Sequence, residues 1–345
     1  MGGGFLTALL LVSLLFSFSS CSGGTTYVGT GGGTSGGTTY KVTVEPTENG
    51  TVTAKPSAGV AEGDEVVLKI EPETGYKLDA LTVKDGGSNA VPTTEVTEGI
   101  SYTFKMSASD VKVSATFKAM LGSKASPDAV GDIVFSDGSA EAYSDSLTLT
   151  TEQKAAAIAV IFDATKKLGV GLKQGQDKMW AKIGTAGYNE IATLSANSDS
   201  GSNAGDAEFS GAGASDGSGS LETFKKFVKD NGNDYSEENY PAWYWIENYA
   251  ANASLAGTSY ESGWYMPSIK ELCDLYKENE AVNNSINKTG GTQMSASWYW
   301  SSSQIASHNS SSSSYAWGVD FGSGNLYYIY GKYGMGSVCA VRAFK

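Results

Sequence analysis

The chain has 345 residues, enough for two or three domains, and carries a net charge of −13 from 24 Lys and Arg against 37 Asp and Glu. That charge repels phosphate backbones and argues against nucleic acid as a partner. A single histidine, His308, leaves a Ser-His-Asp triad or a histidine-built metal site without its parts, while 43 Gly and 19 Tyr fit a β- and loop-rich protein outside the cytoplasm.

The first 21 residues read as a secretory signal, with an apolar run from Phe5 to about Phe18 that is too short for a membrane span. Ser19 and Ser20 precede Cys21 in the manner of a relaxed lipobox, although Phe18 stands where Leu is usual and no Lys or Arg lies near Met1. A diacylglycerol on the Cys21 thiol would make the membrane a partner of the mature chain. Ordinary signal cleavage nearby is the alternative. Residues 22–39 are a Gly/Ser/Thr tether that cannot bury a core.

Residues 40–118 change texture. YKVTVEP, GTVTAKP, DEVVLKIEP, LDALTVKD, SYTFKM and VKVSATFK alternate apolar with polar residues, and Asn49-Gly50, Gly63-Asp64, Gly75 and Gly86-Gly87 punctuate them. Short alternating strands between turn signals define a small all-β domain. Residues 119–127 form a linker to the last unit, 128–345.

In that unit TTEQKAAA predicts a short helix with Thr151 as its cap, and AIAVIF and LGVGL read as buried strands. Residues 193–220 are a Ser/Gly/Asp/Ala loop, acidic enough to raise calcium but without a known calcium-loop spacing. Leu221, Phe224 and Val228 recur at helical spacing, and Pro241 opens PAWYWIENYA at a favourable first position. Ser268 and Glu271 form a capping box, followed by the apolar stripe Ile269, Leu272, Leu275 and Tyr276. EAVNNSINKTGGTQM then reads as a polar connection. Cys273 and Cys339 lack a metal- or redox-type spacing. Either they bridge one another, as the compartment permits, or they are separately buried thiols.

The last fifty residues alternate scaffold with loops. Trp300, Trp317, Val319, Phe321, Val338 and Val341 read as core. Two stretches between them, 305–315 and 323–337, are rich in Ser, Asn, Tyr and Gly, the residue types that binding loops favour. A solvated low-complexity decoration is the plain alternative.

WYMPSIKEL, WYWSSS, AWGVDF and VCAVRAF follow the order of the Lcl-type C-terminal domain, and DIVFSDGSA and AIAVIFDATKKLGVGLKQ resemble its lead-in. The resemblance spans about residues 126–345. It implies an α+β chain whose C-terminal domain is C-type-lectin-like, in the formylglycine-generating-enzyme branch, preceded by the small all-β domain. NGTVTA, EGDEVVLKIEPETGYKLDALTV and VKVSATF in turn resemble the internalin B-repeat, usually a spacer. A narrower likeness is to the TvpA group of Treponema variable lipoproteins, in which a diversity-generating retroelement rewrites loop codons.

The resemblance implies a surface lipoprotein that binds a protein or glycan on another cell. Its candidate contacts are Ile305, Ser307, His308, Asn309, Ser310, Ser312, Ser314, Tyr315, Asn325, Tyr327, Tyr328, Tyr330 and Tyr333. Replacing adenines in AAC- or AAT-type codons yields residues of these kinds. It cannot yield Trp298, Trp300, Gln304, Trp317, Lys332 or Met335, which are expected to be fixed. A fixed adhesive or structural surface lipoprotein is the second reading. A formylglycine-generating-type enzyme is a distant third, because only Cys339 lies in a suitable strand and no second cysteine stands near it. Calcium-lectin EPN, QPD and WND motifs are missing from the sequence, and no cofactor is expected.

Overall fold

The computed structural model describes residues 37–97, 99–306, 314–327 and 331–345. The signal, Cys21 and most of the tether lie outside them, as do Ser307, His308, Asn309, Ser310, Ser312, Tyr328 and Tyr330. Among the described residues, no helix is long and apolar enough to cross a membrane.

Residues 39–119 form nine short strands: β1 (Thr39–Tyr40), β2 (Val42–Val44), β3 (Gly50–Lys55), β4 (Val60–Ala61), β5 (Glu65–Pro72), β6 (Tyr76–Lys84), β7 (Thr93–Thr97), β8 (Ser101–Lys105) and β9 (Val111–Ala119). A three-stranded sheet of order β2-β9-β6 and a four-stranded sheet of order β3-β5-β8-β7 share one core. Alternation explains the burial. Val66, Leu68 and Ile70 of β5 point inward while Val67 and Lys69 face out. Strand β7 was not expected from the sequence, because TTEVT has no apolar alternation and is exposed throughout.

The rest of the chain is built on one mixed sheet. Its elements are β10 (Ile133–Phe135), β11 (Ala140–Glu141), α1 (Thr151–Ala156), β12 (Ala157–Asp163), β13 (Leu168–Lys178), β14 (Ser195–Ser200), β15 (Glu208–Ser210), α2 (Ser220–Asp230), α3 (Pro241–Glu247), α4 (Tyr249–Asn252), α5 (Ile269–Lys277), α6 (Asn279–Thr289), β16 (Trp298–Ile305), β17 (Ala316–Asp320), β18 (Leu326–Tyr327) and β19 (Gly336–Ala343). The strand order is β11-β10-β12-β13-β19-β16-β14-β15, with β17 on β16 and β18 on β17.

Both faces of this sheet are covered, which is why AIAVIF is apolar without a break. Val160 and Phe162 of β12 pack with Leu272 and Ile286 of α5 and α6. Ala159 and Ile161 point the other way, toward Trp180, Phe224 of α2 and Trp243 of α3. The same split runs through β19, where Cys339 and Val341 join the first core and Val338 and Ala340 the second. In the second core Phe224 stacks on Trp243 at 4.3 Å, and Trp180 meets both edge-on.

Several local expectations change. The cap of α1 is Thr150, not Thr151: its hydroxyl accepts from the Gln153 N–H at 3.1 Å, and Gln153 reaches back to Thr150 N. The 193–220 stretch is woven into the sheet through β14 and β15, with Ala196, Ala204, Ala207, Phe209 and Ala214 buried. The supposed polar connection is α6. Its inner stripe is Val282, Ser285, Ile286 and Thr289, and Gly290 ends it in the left-handed region at φ 78°. Strand β13 runs well past LGVGL to Lys178.

Close packing makes Gly171 of β13 irreplaceable, because a Cβ there would overlap the Tyr249 hydroxyl. Gly171→Ala is expected to cost about 3 kcal/mol through overpacking. A chemical denaturation curve with an unshifted midpoint would contradict this.

Candidate functional site

The site lies where β16 ends, beside the segment 331–335 that leads toward β19. Ile305 closes β16, and its N–H donates to Tyr315 O at 3.2 Å, so both loop ends leave the sheet together. The second loop returns beside the first: Lys332 N donates to Ser314 O at 2.8 Å, and Ala181 N donates to Lys332 O at 2.9 Å. The backbone thus draws Ile305, Ser314, Tyr315 and Tyr333 to one end of the sheet.

Beneath them sits Lys332, whose side chain is fully buried. Its amino group donates to Asn189 O at 2.7 Å, Gly187 O at 3.1 Å, Gln304 Oε1 at 3.1 Å and Tyr188 O at 3.4 Å. It also lies 4.6 Å from the centre of the Trp180 ring. Burial pushes the ammonium pKa well below the ordinary lysine value. Gln304 in turn donates to Ser195 Oγ at 3.2 Å. One buried amine thereby ties the second loop, β16 and the 187–189 segment to one another.

The other scaffold residues are held with similar economy. Trp300 Nε1 donates to Lys178 O at 2.8 Å and Trp317 Nε1 to Ala196 O at 3.0 Å, so both indoles are core with satisfied N–H groups. The serines of WYWSSS are buried too. Ser301 Oγ donates to Trp317 O and Ser303 Oγ to Gly213 O. These serines are joints of the frame, not contacts.

The exposed layer contains one residue that the sequence did not flag. Tyr188 lies 6.4 Å from Tyr333 between ring centres, at an interplanar angle of 35°. Burial raises the Tyr188 hydroxyl pKa, opposed by its hydrogen bond with Ser314. Gly331 leaves room for the pair: a Cβ there would come within 2.8 Å of the Tyr333 ring and 3.1 Å of the Tyr188 hydroxyl. Nothing in AKIGTAGYNE signalled this role, since its segment is placed by partners distant in sequence: Lys332 on the carbonyls, Asn233 on Ala186 N and Tyr240 on Gly187 N.

Asn325 is placed apart from this group. It sits in the β17–β18 turn beside Asp320, which pairs with Trp298 at the opposite end of β16, and it bridges to Asn203. The length of β17 separates it from Tyr315, about 13 Å at the usual rise per residue. Tyr327 pairs with Gly318 in β18.

Cys273 and Cys339 are free and buried, so the chain carries separate thiols and no bridge between them. Burial pushes each thiol up to about 12, well above the ordinary thiol value. No group of three or more metal-ligating side chains occurs among the described residues.

Residues 219–342 match the family described as Lcl C-terminal domain, and residues 40–121 match the divergent InlB B-repeat domain. No curated protein matches the chain. Among solved structures, a fimbrial protein from Bacteroides ovatus is similar at 11% identity, covering 81% of this chain and 76% of that one, with a TM-score of 0.42. The chain therefore combines an all-β unit similar to the divergent InlB B-repeat domain with an α+β unit similar to the Lcl C-terminal domain.

Proposed function

We propose that this protein is an adhesin-like surface lipoprotein, anchored through Cys21, whose C-terminal unit is C-type-lectin-like and binds a protein or glycan of another cell. The B-repeat-like unit and the tether hold that head away from the membrane. The observation that carries the reading is the contrast in burial between frame and loops. Trp300, Gln304, Trp317 and Lys332 are buried, whereas Tyr333 is 49% exposed and Ile305, Ser314 and Tyr315 are half-buried. The buried set consists of residues that adenine replacement cannot produce. This supports retroelement diversification of the exposed set. Two other residues expected to be fixed depart from the contrast: Trp298 is half-buried and Met335 is 64% exposed.

Tyrosines supply large contact area at low entropy cost, and neighbouring serine hydroxyls adapt to the ligand. The test is retention of the mature chain on arrays of host-surface proteins and glycans. Tyr333→Ala and Tyr315→Ala together are expected to weaken a detected interaction by at least about tenfold, since each anchor is worth roughly 1 kcal/mol or more. Unchanged retention by a variant that still melts like the parent would overturn the assignment of this face.

A further inference from the structure

A second site lies at the other end of β19. None of the candidate loop positions lines it. A cleft of about 470 Å³ opens there, within the usual size range of small-molecule sites. It is lined by Arg342 of β19 and Lys166 of the turn before β13, by Asp216 and Ser218 of the loop before α2, and by Tyr265 and Glu271.

Tyr265 and Glu271 are already satisfied. The Tyr265 hydroxyl donates to Glu271 Oε1 at 2.9 Å, and Glu271 Oε2 accepts from Gly217 N and Ser268 N. Arg342 is not. The Arg342 guanidinium rests on the Tyr260 ring at 4.9 Å and donates a long hydrogen bond from Nη2 to Ser259 O at 3.5 Å. Its Nε and Nη1 are buried with no acceptor, and no carboxylate among the described residues pairs with it. A half-buried guanidinium without a counter-charge costs free energy and fits a planar anion. Lys166 adds a second cation, held only by a loose pair with Asp163 at 3.7 Å. Asp216 accepts from Ser218 N at 2.8 Å and has no cation partner among the described residues. Leu168 and the methyl of Ala343 supply an apolar patch.

We infer that this cleft binds a small zwitterion, an aliphatic amino acid or short peptide, with its carboxylate on the Arg342 and Lys166 side and its ammonium on Asp216. A ligand of single charge would answer only one of these signs. The site uses none of the loop residues and stands whether or not the adhesive reading holds.

The experiment is isothermal titration of the mature chain with leucine and leucyl-leucine, and with the N-acetylated and C-amidated forms of the dipeptide. The free forms are expected to bind, and each cap to weaken binding roughly tenfold or more, as loss of one charged hydrogen-bonding partner implies. Arg342→Gln should weaken the free dipeptide but not further weaken the amide. Asp216→Asn, an exposed change that leaves the fold intact, should do the same with the acetylated form. Tyr333→Ala should change nothing here. No heat from any form up to millimolar concentration, or equal binding of capped and free forms, would overturn the inference.

Discussion

Replacing Lys332 with methionine is expected to destabilise the C-terminal unit by about 3 kcal/mol and to loosen the candidate face selectively. Methionine fills a similar volume but donates nothing. The carbonyls of Gly187, Tyr188 and Asn189 and the Gln304 amide oxygen then lose their common donor inside the core. Each buried acceptor left unmade costs on the order of 1 kcal/mol or more, partly offset because no charge is then desolvated. Lys332→Arg does not rescue, since a planar guanidinium cannot occupy a space closed by Trp180 at 4.6 Å. The pH dependence follows from the depressed pKa. The folded state binds fewer protons than the unfolded one between the folded pKa and 10.5, so this lysine's contribution to stability rises with pH across that window and fades as pH falls through the folded value. Lys332→Met should lack that component. Hydrogen exchange should quicken in segments 186–190 and 331–335 first. A variant with parental stability and unchanged exchange there would show that the amine does not anchor the loops.

The second large effect is expected at Glu271. This buried carboxylate caps α5 and accepts hydrogen bonds from Gly217 N at 3.0 Å, Ser268 N at 2.8 Å and the Tyr265 hydroxyl at 2.9 Å. Glu271→Ala strands all three donors and is expected to cost about 3 kcal/mol. Glu271→Gln should cost about 1 kcal/mol. Its amide oxygen still accepts from both backbone N–H groups, and its NH₂ donates to Tyr265 if that hydroxyl turns away. Burial holds the Glu271 carboxyl above its ordinary value of 4.5 despite those hydrogen bonds. A raised carboxyl binds protons in the fold that it loses in the unfolded chain. Its contribution is therefore full below 4.5 and declines as pH rises through the folded pKa. Urea midpoints taken across this range should fall with pH more steeply in the parent than in Glu271→Gln. Parallel profiles would contradict the account.

What was legible in the sequence follows from how each element buries its surface. Strands β5 and β9 alternate, and α5 carries both a capping box and a wide apolar stripe, so hydrophobic period and caps revealed them. Helix α6 was hidden because Ser285 and Thr289 complete its stripe beside Val282 and Ile286. Ser285 satisfies its hydroxyl inside the core by donating to Gly131 O at 2.7 Å. Residues 193–220 read as a Ser/Gly/Asp/Ala loop because most of their buried apolar side chains are alanines, Ala196, Ala204, Ala207 and Ala214, which give little strand signal. The frame of the candidate site was half legible. Trp300 and Trp317 read as core, and Lys332 was separated from the loop positions by codon chemistry, but its burial was not apparent. A lysine is placed in a core only by partners distant in sequence, and here they are Asn189, 143 residues before it, and its neighbours. Tyr188 was invisible for the same reason.

The division between a fixed frame and variable loops is tested most directly by reading the DNA that encodes residues 295–345, together with its flanks. The account predicts a neighbouring near-copy, beside a reverse transcriptase, that differs almost wholly at adenines and at codons of the candidate loop positions. The codons of Trp300, Gln304, Trp317 and Lys332 should be identical in both copies. Absence of such a repeat, with mixed unrelated serine codons across 310–314, would contradict diversification and leave a surface protein whose loops are fixed.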